Sequence, residues 1–276
     1  LLEYQALADG LQYQLRRAPG DKRLIAEMVS NYERIGQPEQ AIALLQRLPQ
    51  RTPEQSEALA SMYEHTGEDE KALRQWESLF QQPQTITHAR AMKAAVLALR
   101  LGQGAKGLAW LRGASGPLPS DPEAAADFLR LYAELASRQN ATGEATTAYQ
   151  SLLRNPTSTP EDYDALIDLL RQQGQMREAA ALSRTAWDKH HAPRHFVQAL
   201  MLYGQQQDWA AATPLVNSLS SGLEPATVQQ REQAQAWMKF KGYAPSALTI
   251  RSWTRLGGRL SAANIAFDDH PNSQRF

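Results

Sequence analysis

SEALASMYEHTGEDEKALRQWESLF, Ser56 to Phe80, reads as two short amphipathic helices joined by a tight turn. Leu59, Ala60 and Tyr63 give the first helix an apolar face at helical spacing. Gly67 ends it, because glycine takes the left-handed backbone of a helix C-terminus without a Cβ clash. Glu68, Asp69 and Glu70 then open the second helix, where carboxylates meet the positive end of the helix dipole. Ala72, Trp76 and Leu79 form its apolar face, and Ala72 is small because two helix backbones approach closely there.

The same unit recurs along the chain. Turn residues fall at Gly36, Gly67, Gly102, Asn140, Gly174, Gln207 and Gly242, at spacings of 31, 35, 38, 34, 33 and 35. Five residues after each turn stands Ala41, Ala72, Gly107, Ala145, Ala179, Ala212 or Ala247, one glycine and otherwise always alanine. Four before each turn come Tyr32, Tyr63, Ala98, Ala136, Leu170, Tyr203 and Met238; nine after come Leu45, Trp76, Leu111, Tyr149, Ser183, Val216 and Arg251. A small residue at one fixed place in seven units marks a true internal repeat. Around it the pattern predicts helices over Leu1–Arg17, Lys22–Ile35, Pro38–Leu48, Thr87–Leu101, Gly104–Leu111, Pro122–Arg138 and Gly143–Leu153. It continues them over Pro160–Gln173, Met176–Asp188, Pro193–Gln205 and Trp209–Leu219, with a weaker pair over Ala226–Lys241 and Pro245–Leu256. Residues 1–21 are expected to be a partial repeat, 22–259 the array, and 260–276 a linker or incomplete repeat. Gly113–Asp121, with Pro117 and Pro119, is the longest loop and the expected flexible seam.

Composition narrows the function. Lysine plus arginine equal aspartate plus glutamate at 29 each, so no general attraction to nucleic acid or to an acidic membrane is expected. The absence of cysteine excludes disulfides, Cys-ligated zinc and thiol catalysis. The longest apolar run, Ala94–Leu99, is far too short to cross a bilayer. The N-terminus lacks the basic start and long apolar core of a signal peptide and begins as though in mid-helix, which suggests a piece of a longer protein.

The period near 34, the turn glycine, the small residue after it and the large residue four further on resemble tetratricopeptide repeats (TPR) over about Lys22–Leu256. The family's first-helix tryptophan is missing, and its small first-helix residue matches only at Ala60, Ala95 and Ala133. The resemblance implies an all-α, right-handed superhelical solenoid of about seven hairpins, with the first helix of each lining an inner groove. Its groove positions would be Glu54, Glu57, Ser61 and Glu64 in the second repeat and Ala89, Met92, Val96 and Leu99 in the third. In the fourth they would be Asp127, Arg130, Glu134 and Ser137, in the fifth Glu161, Asp164, Asp168 and Arg171, and in the sixth Arg194, Val197, Met201 and Gly204. Acidic and apolar patches would alternate along the groove.

Catalytic constellations are not found. Gly102-Gln-Gly104-Ala-Lys-Gly107 has the spacing of a nucleotide-binding turn, but no strand precedes it. Asp164 and Asp168 share a helix face, whereas glycosidase chemistry needs carboxylates facing across a pocket. His190, His191 and His195 cluster, but Pro193 marks a helix start within them, and a solvated loop is the expected setting. No enzyme activity, cofactor or metal is expected. Charge is uneven: Glu54–Glu77 carries a net of −5 and Arg231–Arg259 a net of +5, which would steer different partners, or parts of one, to each end.

The resemblance implies a non-catalytic scaffold that docks a partner protein. A cysteine-free, irregular array rich in alanine, glutamine, leucine and arginine is similar in style to the periplasmic scaffolds of bacterial exopolysaccharide secretion, the Pel type above all. There such arrays precede an outer-membrane β-barrel and recruit a polymer-modifying hydrolase or deacetylase for biofilm formation. The alternatives are direct binding of a cationic, partly deacetylated polysaccharide and a cytoplasmic adaptor or co-chaperone. The groove patch expected to carry docking is Glu57, Glu64, Asp164 and Asp168, with Met92, Val96, Leu99, Val197 and Met201 as apolar anchors.

Overall fold

The computed structural model describes residues 2–217, and the seventh repeat, the basic Arg231–Arg259 stretch and the 260–276 tail lie outside them. The described residues form thirteen α-helices, one short 3-10 turn over Pro83–Thr85 and no strand. The N-terminal helix is α1 (Leu2–Arg17), and six hairpins follow. They are α2 (Lys22–Arg34) with α3 (Pro38–Gln46), α4 (Pro53–His65) with α5 (Asp69–Leu79), and α6 (His88–Arg100) with α7 (Gly104–Gly113). Then come α8 (Pro122–Arg138) with α9 (Thr142–Leu153), α10 (Pro160–Gln172) with α11 (Met176–His190), and α12 (Pro193–Gln205) with α13 (Trp209–Asn217). The helices gather into two compact units, Leu1–Ala145 and the residues from Thr146 on.

All six described turns share one backbone device. Gly36, Gly67, Gly102 and Gly174 have φ between 70° and 76°, and Asn140 and Gln207 reach 59° and 56°. The next residue's N–H then bonds back to the carbonyl five positions earlier, as Glu68 does to Tyr63 at 2.8 Å and Ala141 to Ala136 at 2.8 Å. The turn residue's own N–H reaches three positions back, as Gly67 does to Glu64 at 3.1 Å. This is a Schellman closure, which satisfies carbonyls that a helix end otherwise leaves unpaired. The repeat position four before each turn is thus the carbonyl that the closure requires.

Most helix starts divide by type, with α12, which follows Ala192 and has no side-chain cap, an exception among the first helices. The first helices α2, α4, α6 and α8 are capped by the side chains of Asp21, Thr52, Thr87 and Asp121. Thr159 caps α10 through a capping box in which Asp162 accepts the Thr159 N–H at 2.8 Å. The second helices α3, α5, α7 and α11 have no side-chain cap, whereas at the start of α13 Asp208 accepts the Ala211 N–H at 3.1 Å. The Thr52–Gln55 capping box also places the start of α4 at Pro53, three residues ahead of Ser56, with proline at the first turn where its missing N–H costs little.

The repeated small residue sits where hairpin backbones cross. Ala41, Ala72, Ala145 and Ala179 are fully buried, and Ala212 nearly so. At Gly107 the crossing is closest: a Cβ there would lie 3.2 Å from both Cα and O of Ala95, on α6. Ala60, Ala95 and Ala133, seven residues before their turns, are also fully buried. Larger residues close the space around them. Trp76 is buried and packs on Phe80 at 5.5 Å, and Phe80 meets Trp110 of α7 edge-on at 5.3 Å. The glycine triplet at 102–107 therefore has structural causes, a left-handed turn at Gly102 and a close helix crossing at Gly107. The loop after α7 is tied down, with the Ser115 N–H donating to Ile86 O at 3.0 Å.

Candidate docking faces

In the first compact unit the first-helix positions of α4, α6 and α8 all keep solvent access. Val96 is 49% exposed and Met92 half-buried on α6. Their surroundings are not bare acids. Arg90 donates from Nε to Glu57 at 2.9 Å and from Nη2 to Glu54 at 3.1 Å, and Lys93 donates to the other Glu57 oxygen at 2.5 Å. Arg100 holds Glu64 at 3.0 Å and Asp69 at 2.8 Å. Lys106 pairs with Glu77. On α8, Arg130 pairs with Asp127 at 2.9 Å, and Arg138 with Glu134 at 2.6 Å.

These contacts redraw the acidic stretch 54–77. Glu68 pairs within its own repeat with Lys71, but Glu54, Glu57, Glu64, Asp69 and Glu77 are met by Arg90, Lys93, Arg100 and Lys106 of the next repeat, where residues 88–112 hold five bases and no acid. The charge that looks unbalanced within one repeat is balanced across two. Burial pushes the Glu57 carboxyl up, but the hydrogen bonds and charges of Lys93 and Arg90 outweigh it and hold the group below its ordinary range. Glu54 is also held low, first by its own backbone N–H at the start of α4 and then by Arg90.

The second unit repeats the arrangement. Pro160–Glu161 opens α10 as Pro53–Glu54 opens α4, and one arginine again spans two carboxylates: Arg194 donates to Asp164 at 2.9 Å and to Glu161 at 2.9 Å. Asp168 is 60% exposed and only loosely paired with Arg171, at 3.6 Å. Between α10 and α12 lies an open cleft of about 310 Å³, walled by Asp164, Arg171 and Arg194 and floored by Val197, Met201 and Leu202. The resemblance to tetratricopeptide repeats places Asp164, Arg171, Arg194, Val197 and Met201 on first helices facing an inner groove, and these five line one cleft. Asp168 is not part of its wall.

Histidine is where the sequence reading needs correction. His190 ends α11 and is partly buried, and only His191 and Ala192 separate it from α12. His195 is not in a solvated loop: it is fully buried in the first turn of α12, with Nε2 2.7 Å from Asp164 Oδ1. The helix start at Pro193 is as expected, but the packing of that helix on α10, which no spacing along the chain records, turns His195 inward. Arg90, Arg100 and Arg194 were also missed as ligands of the first-helix acids, since each arrives from another repeat.

Among the described residues, no helix is long and apolar enough to cross a membrane. The sequence matches the tetratricopeptide repeat family over residues 79–244. Among curated proteins none matches it. Among solved structures, the C-terminal part of a TPR repeat-containing protein from Cytophaga hutchinsonii is similar at 10% identity and a TM-score of 0.52, over 78% of this chain and 88% of that one. A tetratricopeptide repeat protein from Parabacteroides merdae is similar at 15% identity and 0.44, over 93% of each chain. Pseudomonas aeruginosa PilF is similar at 15% identity and 0.43, over 71% and 88%. With the repeat, its turns and its small crossing residues in place, the chain belongs to the tetratricopeptide repeat family.

Proposed function

We propose that the chain is a non-catalytic scaffold that docks a protein, and that the α10–α12 cleft receives an apolar side chain of that partner. The observation that carries this reading is the cleft itself, an apolar floor of Val197, Met201 and Leu202 rimmed by Arg171, Arg194 and Asp164. Apolar anchors ringed by polar groups are the usual anatomy of a protein interface. Membership of a family that works by protein–protein contact supports it. A cationic polysaccharide would need free carboxylates, and Glu57, Glu64 and Asp164 are already engaged by Arg90, Lys93, Arg100 and Arg194. The compositional likeness to Pel-type scaffolds supports a periplasmic setting and a polymer-modifying hydrolase or deacetylase as the partner, in exopolysaccharide export.

The test titrates the chain with such enzymes and with deacetylated polymer, at low and high salt. Replacing Val197 and Met201 by Asp should weaken protein binding roughly tenfold or more. Raising salt should slow association while leaving the apolar part of the affinity. Asp168→Lys serves as the charge probe, because reversing Glu57, Glu64 or Asp164 would also unpair the neighbouring repeat. Protein affinity unchanged by the cleft substitutions sinks the reading; polymer binding that disappears at high salt puts the polysaccharide in the partner's place.

A further inference from the structure

Behind the α10–α12 cleft lies a polar cluster that docking alone does not require. His195 presents Nε2 to Asp164, while its Nδ1 is buried with no partner. His190, from the last turn of α11, likewise buries an Nε2 with no partner. Both imidazoles pack on one ring: the centroid of Tyr163 is 5.4 Å from His190, edge-on, and 6.4 Å from His195. A bare imidazole lone pair tolerates such a place better than an N–H, which would have nothing to donate to. Histidine is the side chain that gains that second proton between about pH 8 and pH 5.

The charged groups around the two rings do not remove this obstacle. Helix α10 contributes Glu161, Asp162 and Asp164, which favour a cation. Two of them are already spent on Arg194, and Asp162 accepts the Thr159 N–H at 2.8 Å. Helix α11 contributes Lys189, which lies over the Tyr163 ring at 5.7 Å, and α12 contributes Arg194; both oppose a further positive charge. His191 packs on Trp187, with ring centroids 5.4 Å apart. Burial, and then the charges of Lys189 and His195, hold His190 below its ordinary range.

We propose that this cluster makes the α10–α12 stack proton-sensitive: it holds while the His190 imidazole is neutral and loosens when that ring takes up a second proton, removing the cleft. The consequence for docking rests on the functional reading above; the loosening does not. For a histidine held low in the folded state, the unfolded chain binds more protons, so stability is complete above about pH 6.5 and falls as pH drops below it.

Hydrogen exchange on the whole chain, corrected for intrinsic rates, tests this without any partner. Between about pH 7.5 and about pH 5.5, protection across residues 160–205 should fall roughly tenfold more than across residues 53–112. In the double variant His190→Gln/His195→Gln, whose amide can still donate to Asp164 but does not titrate, that difference should vanish. An equal acid response in the variant, or protection that rises on acidification as a stabilising His195–Asp164 ion pair would cause, overturns the proposal. Should the variant not reach wild-type helicity, ring-proton NMR of the wild type decides: His190 must titrate only together with loss of the α10–α12 signals, and its reversible titration in an intact fold overturns the proposal. Failed partner binding at neutral pH would sink the docking reading and leave this inference standing, and the reverse outcome would do the opposite.

Discussion

Gln207 holds a φ of 56° at a turn position where, among the described residues, four other repeats place glycine and one places asparagine. The left-handed region costs a non-glycine residue roughly 1–2 kcal/mol, and asparagine less than glutamine, because its short amide can bond locally. Gln207→Gly should therefore raise stability by about 1 kcal/mol, less the backbone entropy that glycine gives up. Urea midpoints measure it, and a lower midpoint would mean that the turn draws support from the glutamine side chain. Ala72 tests the opposite limit. It is fully buried at a hairpin crossing, so Ala72→Leu should cost about 1–3 kcal/mol by overpacking; an unchanged midpoint would place the crossing elsewhere. The crossing alanines and the glycine turns were legible from residue identity, because a missing side chain and φ > 0 each select for particular amino acids, whereas the Gln207 turn was legible only from the register of the repeat. His195 was not legible: the same imidazole suits a wet loop or a dry core, and only the packing of α12 on α10 chooses between them.

At the scale of elements, the recurring motif is an acid pair on the first turns of one first helix and an arginine on the next. Glu54 and Glu57 converge on Arg90, and Glu161 and Asp164 on Arg194. The Arg90 side chain is only 13% exposed and Glu57 24%, which shields their pair more than an ordinary surface bridge. A double-mutant cycle with Arg90→Ala and Glu57→Gln should give a coupling of about 1–2 kcal/mol. The same cycle on Lys106 and Glu77, both more than a third exposed, should give about 0.5 kcal/mol or less. Equal couplings would show that the arginine does not help lock one repeat onto the next. Helix boundaries were readable to within a few residues, since caps, turns and periodicity act inside one hairpin. The ion pairs were not, because a charge count along the chain compares neighbours in sequence while each acid finds its base one repeat away.

For the whole molecule, these pairs set the acid limit of stability. Glu57 is held low by Lys93 and Arg90 against burial, Glu144 by Arg112 and then Tyr132, and Glu161 by its own backbone N–H and then Arg194. A carboxylate held low in the folded state contributes stability that is present above its ordinary value, about 4.3, and lost as pH falls through the folded one. Urea midpoints should therefore drop steeply below about pH 4.5, a step that the double histidine variant retains while losing the earlier one. A midpoint that stays level through the carboxylate range would show that these ion pairs persist in the unfolded chain. The sequence by itself determined the repeat, its turns, its helices and the small residue at each crossing, because left-handed backbone, capping and helical periodicity are properties of a few adjacent residues. Tertiary structure alone decided which carboxylates are neutralised, which first-helix residues share a cleft and where His195 lies. Those depend on groups that meet across 29 to 36 residues of chain, as Lys106 meets Glu77, His195 meets Asp164 and Lys93 meets Glu57, and no local pattern records which helix will deliver the partner.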